Sequence, residues 1–158
     1  VELALENKLL PIIASVGIGT DGDAVNINAD EVVRAIAVTM ARNDAEIVLC
    51  YLSDTPGVLD RDQSVIPTIT TDTVEHLVAD QVIQGGMTAK IRSSAAAISS
   101  GVHRVVIGGY KRSGDLGPLL TGAAGTTVQA RKAPDSNAGE AATATDNRYT
   151  GRRDEWQR

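Results

Sequence analysis

Apolar and polar positions follow two rhythms over the first 130 residues. Leu10–Val16 (LPIIASV) is a continuous apolar run ending at Gly17, the pattern of a strand buried on both faces. Ala29–Arg42 then carries Val32, Val33, Ala35, Ile36, Met40 and Ala41 at helical spacing, behind Asn28 as a capping side chain. Glu46–Leu52 (EIVLCYL) predicts a second buried strand, stopped by Ser53-Asp54-Thr55-Pro56-Gly57. Thr71–Ala79 predicts a short helix capped by Thr70, Thr71 or Asp72, Gly86–Ser100 a long Ala-rich helix, and Arg104–Ile107 a third strand. A weaker helix at Asp115–Leu120 and a strand at Thr126–Ala130 complete the series, and Val1–Lys8 reads as the back half of a helix. Strand–helix–strand alternation implies right-handed crossovers, hence an α/β fold with a mostly parallel sheet and helices on both faces. Past that point neither period continues, which predicts one folded unit over 1–130 and a disordered tail over 131–158.

Composition narrows what such a fold can do. A 158-residue chain with 42% hydrophobic residues has the size of one domain. Aromatics are 3% and Phe is absent, so the core must come from Val, Ile, Leu and Ala. No apolar run approaches the roughly 20 residues of a membrane span, and no charged-then-apolar leader opens the chain. The single cysteine, Cys50, excludes an intramolecular disulfide framework and a Cys-based zinc site. These features predict a cytoplasmic protein without a membrane partner. Acidic residues outnumber basic ones before Arg131, which argues against nucleic acid as a partner.

In a parallel sheet, ligands bind beyond the carboxyl ends of the strands. Three strand ends here run into polar or Gly-rich segments: Gly17–Asp30, Ser53–Asp60 and Gly108–Gly114. Gly17-Ile18-Gly19-Thr20-Asp21-Gly22 fits G-x-G-x-x-G literally, but an alternating segment follows where a dinucleotide site needs a helix, so a tight glycine hairpin is expected. In Asn26-Ile27-Asn28-Ala29-Asp30, capping accounts for Asn28 and leaves Asn26 unexplained, while Asp30 falls in a first helical turn facing the crevice. The Pro-Gly centre of Ser53–Asp60 fits a plain turn or one that lays backbone against a purine ring. Gly85-Gly86-Met87-Thr88-Ala89-Lys90 puts a lysine, one of only four, near a helix start, where a cation opposes the dipole unless it shares an anion with the free N–H groups. Lys90 is followed by Ile91, so the spacing is not that of a P-loop. His76 and His103 have no ligand spacing to each other or to Cys50.

The succession Asn-Ile-Asn-Ala-Asp, Ser-Asp-Thr-Pro-Gly-Val-Leu-Asp and Gly-Gly-Met-x-x-Lys resembles the amino-acid kinase family, in its branch acting on N-acetyl-L-glutamate. The likeness runs from Val1 to about Ala130 and covers the carboxyl-terminal, nucleotide-binding half. The family's Lys-x-Gly-Gly loop, its second glycine loop and its substrate arginine belong to an amino-terminal half that this sequence does not contain. The resemblance implies phosphoryl transfer from ATP, with its Mg2+, to the acceptor's side-chain carboxylate in arginine biosynthesis. Asn26 would bind the acceptor, and Asp30 would orient the catalytic lysines. Asp54, Thr55, Pro56, Gly57, Val58 and Leu59, with Val82, Ile83 and Gln84, would line the ATP site. Lys90 would stabilise charge on the transferred group, with no protein metal ligands. It implies as partners the missing half and further copies of the enzyme. A kinase for carrier-bound aminoadipate or glutamate and a non-catalytic nucleotide-binding module are the alternatives. The stretch Gly108-Gly109-Tyr110-Lys111-Arg112 departs from the family's pattern.

Overall fold

The computed structural model describes residues 1–42 and 46–131. The predicted tail therefore lies almost wholly outside the described residues. A short helix, α1 (Glu2–Glu6), is followed by a hairpin of β1 (Val16–Ile18) and β2 (Ala24–Asn26), paired antiparallel. The literal G-x-G-x-x-G is the turn of this hairpin: Gly19 N–H donates to Asp23 O at 2.8 Å and Gly22 N–H to Gly19 O at 3.0 Å. No helix opens at Gly22, as the alternating residues 23–27 led us to expect.

Helix α2 (Ala29–Ala41) starts where its capping residue predicts, since Asn28 Oδ1 accepts from Asp30 N–H at 3.0 Å. The main sheet contains β3 (Val48–Ser53), β4 (Thr68–Thr70), β5 (Arg104–Gly109) and β6 (Thr126–Gln129), in the order β3-β5-β6-β4. Strands β3/β5 and β4/β6 pair parallel, and β5/β6 antiparallel. Helices α3 (Val74–Ala79), α4 (Gly86–Ser99) and α5 (Leu116–Thr121) complete the fold. Val105, Ile107, Leu49, Tyr51 and Val128 share one core with Ala37 of α2 and Ile91, Ala97 and Ile98 of α4. Gly108 faces the opposite side, where a Cβ would collide with Leu119 of α5. Helices thus cover both faces of a mostly parallel sheet.

Two expectations are corrected. Leu10–Val16 is not a buried strand: only Val16 is in β1, and Leu10 and Ile12 are 84% and 92% exposed. The apolar run does signal burial, but nothing in the described residues packs over it. The helix expected at Thr71–Ala79 begins only at Val74, with Thr73 at its N-cap and no capping side-chain bond. Residues 71–73 instead form a turn, with Thr73 N–H donating to Thr70 O at 3.0 Å, after β4, a three-residue strand too short for its alternation to register. Among the described residues, no helix is long and apolar enough to cross a membrane.

Candidate active site

Lys90 and Asp30, 60 residues apart, meet as a partly exposed ion pair. Asp30 is in the first turn of α2, and Lys90 is the fifth residue of α4. Lys90 Nζ donates to Asp30 Oδ2 at 2.8 Å and to Oδ1 at 3.1 Å. The ammonium lies 4.7 Å from the ring centroid of Tyr51, which rises beneath it from β3. Tyr51 is 3% exposed, and its hydroxyl lies 3.4 Å from Asp30 O and 3.5 Å from Ser93 Oγ. Burial, above all, pushes the Tyr51 phenol above its ordinary range. The lysine is therefore flanked by a carboxylate and an aromatic face. Gly85, immediately before α4, sits at φ 59°, ψ −139°, a conformation that glycine adopts at little cost.

A cavity of about 490 Å³ reaches the start of α4 at Met87. Thr55, Gly57, Val58, Leu59, Val82, Ile83 and Gln84 line it, so two segments expected to form one site do converge. Asp54 and Pro56, grouped with them in sequence, point elsewhere. Asp54 is exposed, with Oδ1 accepting from Ser53 Oγ, and Pro56 lines a smaller cavity beside Gly109 and Lys111. Met87, one helical turn before Lys90, lines the 490 Å³ cavity and places it next to the lysine. Asp30 and Tyr51 line a separate open groove of about 790 Å³ with Val16, Val33, Cys50 and Leu52. Burial raises the Cys50 thiol above its usual range. Asn26 is exposed on β2 opposite Val16 and lines neither space.

The wall at 55–66 is shaped from within. Asp60 Oδ1 accepts from Asp62 N–H and Ser64 N–H, both at 2.9 Å, closing a tight turn. Ile66 N–H returns to Val58 O at 2.8 Å. Thr126, fully buried on β6, pins both limbs: its Oγ1 accepts from Val58 N–H at 2.8 Å and donates to Ile66 O at 2.7 Å. Gly57 is required by close approach, since a Cβ would lie 2.8 Å from both Thr126 Oγ1 and Val65 Cγ1. Asp60, Arg61, Gln63 and Gln81 also line the cavity and were not anticipated. Gln63 (φ 61°) and Gln81 (φ 56°) are in the left-handed region, which glutamine seldom occupies and which no sequence signal announces. No sequence signal separated Thr126 from its neighbour Thr127 in the strand-like segment Thr126–Gln129.

A cation aimed by a carboxylate that lines the groove, one helical turn from a residue that lines the cavity, is suited to meeting an anionic oxygen. A family model described as the amino acid kinase family matches residues 1–109. An acetylglutamate kinase of Nitrosospira multiformis is 39% identical over 132 residues, covering 82% of this chain and 44% of the relative. The solved structure of smu.665 from Streptococcus mutans UA159 superposes with a TM-score of 0.65 at 35% identity, over 82% of this chain and 46% of that one. N-acetylglutamate synthase from Neisseria gonorrhoeae, at 22% identity and covering 82% of this chain and 30% of that one, shares the fold with a TM-score of 0.72. The chain spans less than half the length of these relatives.

Proposed function

The chain belongs to the amino acid kinase family, and on that premise we propose that it is the nucleotide half of a cytoplasmic kinase that phosphorylates the side-chain carboxylate of N-acetyl-L-glutamate. The observation that carries this reading is the Lys90–Asp30 pair, with Asp30 on the groove and Met87, one helical turn before Lys90, on the 490 Å³ cavity. ATP would lie in the cavity, with the backbone of 55–59 and 82–84 along its base and sugar. Its γ-phosphoryl group would reach Lys90, and the acceptor would approach past Asn26.

Phosphoryl transfer asks little covalent chemistry of a protein and much positioning and charge stabilisation. Lys90 would place its positive charge against the oxygens of the group in flight. Asp30 would keep the ammonium aimed, and its negative charge would repel a misplaced phosphate. Both Asp30 oxygens are engaged by Lys90, so the Mg2+ of ATP would be held by phosphate oxygens and water.

An amino-terminal half would complete the site. Strand β3 is at an edge of the sheet, Ile13 and Leu52 are at least half exposed along the groove beside it, and Leu9, Leu10 and Ile12 are exposed as well. Such an edge and apolar face call for a partner. Phosphoryl transfer draws much of its rate from aligning both reactants, so this chain alone should bind adenine nucleotide weakly and turn over nothing. The test assays ATP-dependent phosphorylation of N-acetylglutamate by this chain, alone and mixed with the amino-terminal half of an acetylglutamate kinase. Turnover only in the mixture is expected. Turnover by the chain alone would refute the half-enzyme reading, and activity confined to a carrier-bound aminoadipate or glutamate would reassign the acceptor. Nucleotide binding with no turnover on any acceptor would leave a binding module.

A further inference from the structure

The Lys90 ammonium has two neighbours of different kinds: a carboxylate at 2.8 Å and an aromatic face at 4.7 Å. A surface ion pair by itself holds a long side chain weakly, and this one is only partly shielded, with Lys90 19% and Asp30 35% exposed along their side chains. A second carboxylate would hold the lysine harder but would cancel the charge that an incoming phosphate needs. An aromatic face attracts a cation through its quadrupole and carries no net charge. The ring can therefore restrain the ammonium and leave its positive charge available.

Tyr51 is well built for that task. It is 3% exposed on a central stretch of β3, so its own position is fixed by packing. Its hydroxyl is tethered between Asp30 O and Ser93 Oγ, which belong to the two helices that carry the pair. These contacts are long, and the ring face is the closer tie to function. We propose that Tyr51 is a positioning residue for Lys90, its ring rather than its hydroxyl fixing the ammonium beside Asp30. The proposal rests on the reading of Lys90 as the phosphate-binding cation, and its first test does not.

The chain has four lysines, so selective 13C labelling of lysine gives a spectrum that Lys90→Ala assigns directly. The ε-methylene beside an ammonium over a ring face should resonate upfield of the other three. The shift should persist in Tyr51→Phe and vanish in Tyr51→Leu and Tyr51→Met, whose unbranched or branched apolar side chains refill the core. Random-coil shifts for Lys90 in the unmutated chain, or an upfield shift that survives in the Leu or Met variant, would overturn the proposal. Calorimetry with ATP and with adenosine then joins geometry to function. Loss of the ring should weaken ATP about three- to tenfold, leave adenosine unchanged, and be rescued in Tyr51→Phe. If Lys90→Ala weakens ATP but neither ring-less variant does, Tyr51 is a core residue only and the proposal fails. If Lys90→Ala binds ATP like the unmutated chain while the ring shift stands, the ground-state phosphate contact of Lys90 fails and the positioning of its ammonium survives.

Discussion

Replacing Thr126 by Val removes one hydroxyl and almost no volume, and it should loosen the loop that walls the cavity. The hydroxyl accepts from Val58 N–H at 2.8 Å and donates to Ile66 O at 2.7 Å. The first bond is buried, and an N–H left there without a partner costs about 1–3 kcal/mol. The second is part-buried, so its carbonyl can recover water and only the ordinary net value of about 0.5–1.5 kcal/mol is lost. Together these give about 1.5–4.5 kcal/mol, a large share of the ~5–15 kcal/mol that holds a domain folded. Thr126→Ser keeps the hydroxyl and loses one buried methyl, at about 1 kcal/mol. Urea unfolding followed by circular dichroism, with a common m-value, should rank the unmutated chain first, Ser second and Val last. A Val variant within about 0.5 kcal/mol of the unmutated chain, or more stable than Ser, would refute the claim that this hydroxyl pins the loop.

Gly57→Ala should destabilise by about 1–3 kcal/mol through overpacking, and because its Cβ meets Thr126 Oγ1 the two substitutions should be non-additive in the same unfolding assay. Lys90→Ala in the completed enzyme should lower kcat about 100- to 1000-fold while changing the KM for ATP far less; a variant keeping most of its kcat would remove Lys90 from the chemistry. Asn26→Ala should raise the KM for the amino-acid acceptor and spare that for ATP, and steady-state kinetics showing the reverse would place Asn26 at the other substrate. The Asp115 carboxylate accepts from Lys111 N–H at 2.9 Å and Arg112 N–H at 3.0 Å, and these two bonds hold its carboxyl below the usual range. Because the folded value is the lower one, the loop's stabilisation is present above the ordinary carboxylate pKa of about 3.9 and disappears as pH falls through the depressed value. The amide shifts of residues 111 and 112 should accordingly titrate below that pH and stop doing so in Asp115→Asn; a midpoint at or above about 3.9 would contradict the hydrogen-bonded loop.

Local rules determined much of this protein from sequence alone. Helix α2 begins behind Asn28, α4 follows Gly85, and β3, β5 and β6 are within two residues of their apolar runs, because caps, turns and periodicity act between neighbours. The glycine hairpin was legible for the same reason: a dinucleotide loop needs a helix directly after it, and the alternation at 23–27 forbids one. The order of three motifs pointed to the family and to Lys90 and Asp30 as a pair of interest. Only the tertiary structure decided what depends on distant chain segments meeting. It turned β6 antiparallel to β5, placed β4 at an edge, and left Leu10 and Ile12 in the open where their pattern spelled burial. It also split the motif Asp54–Leu59, sending Gly57, Val58 and Leu59 to one cavity and Pro56 to another. Tyr51 read as one more apolar position in a strand until Lys90, 39 residues on, arrived over its ring. Thr126 was an ordinary strand threonine until Val58 and Ile66 converged on its hydroxyl. An apolar period records that a side chain will be covered; what covers it is set by packing between elements, and the chemistry of this site lies in those contacts.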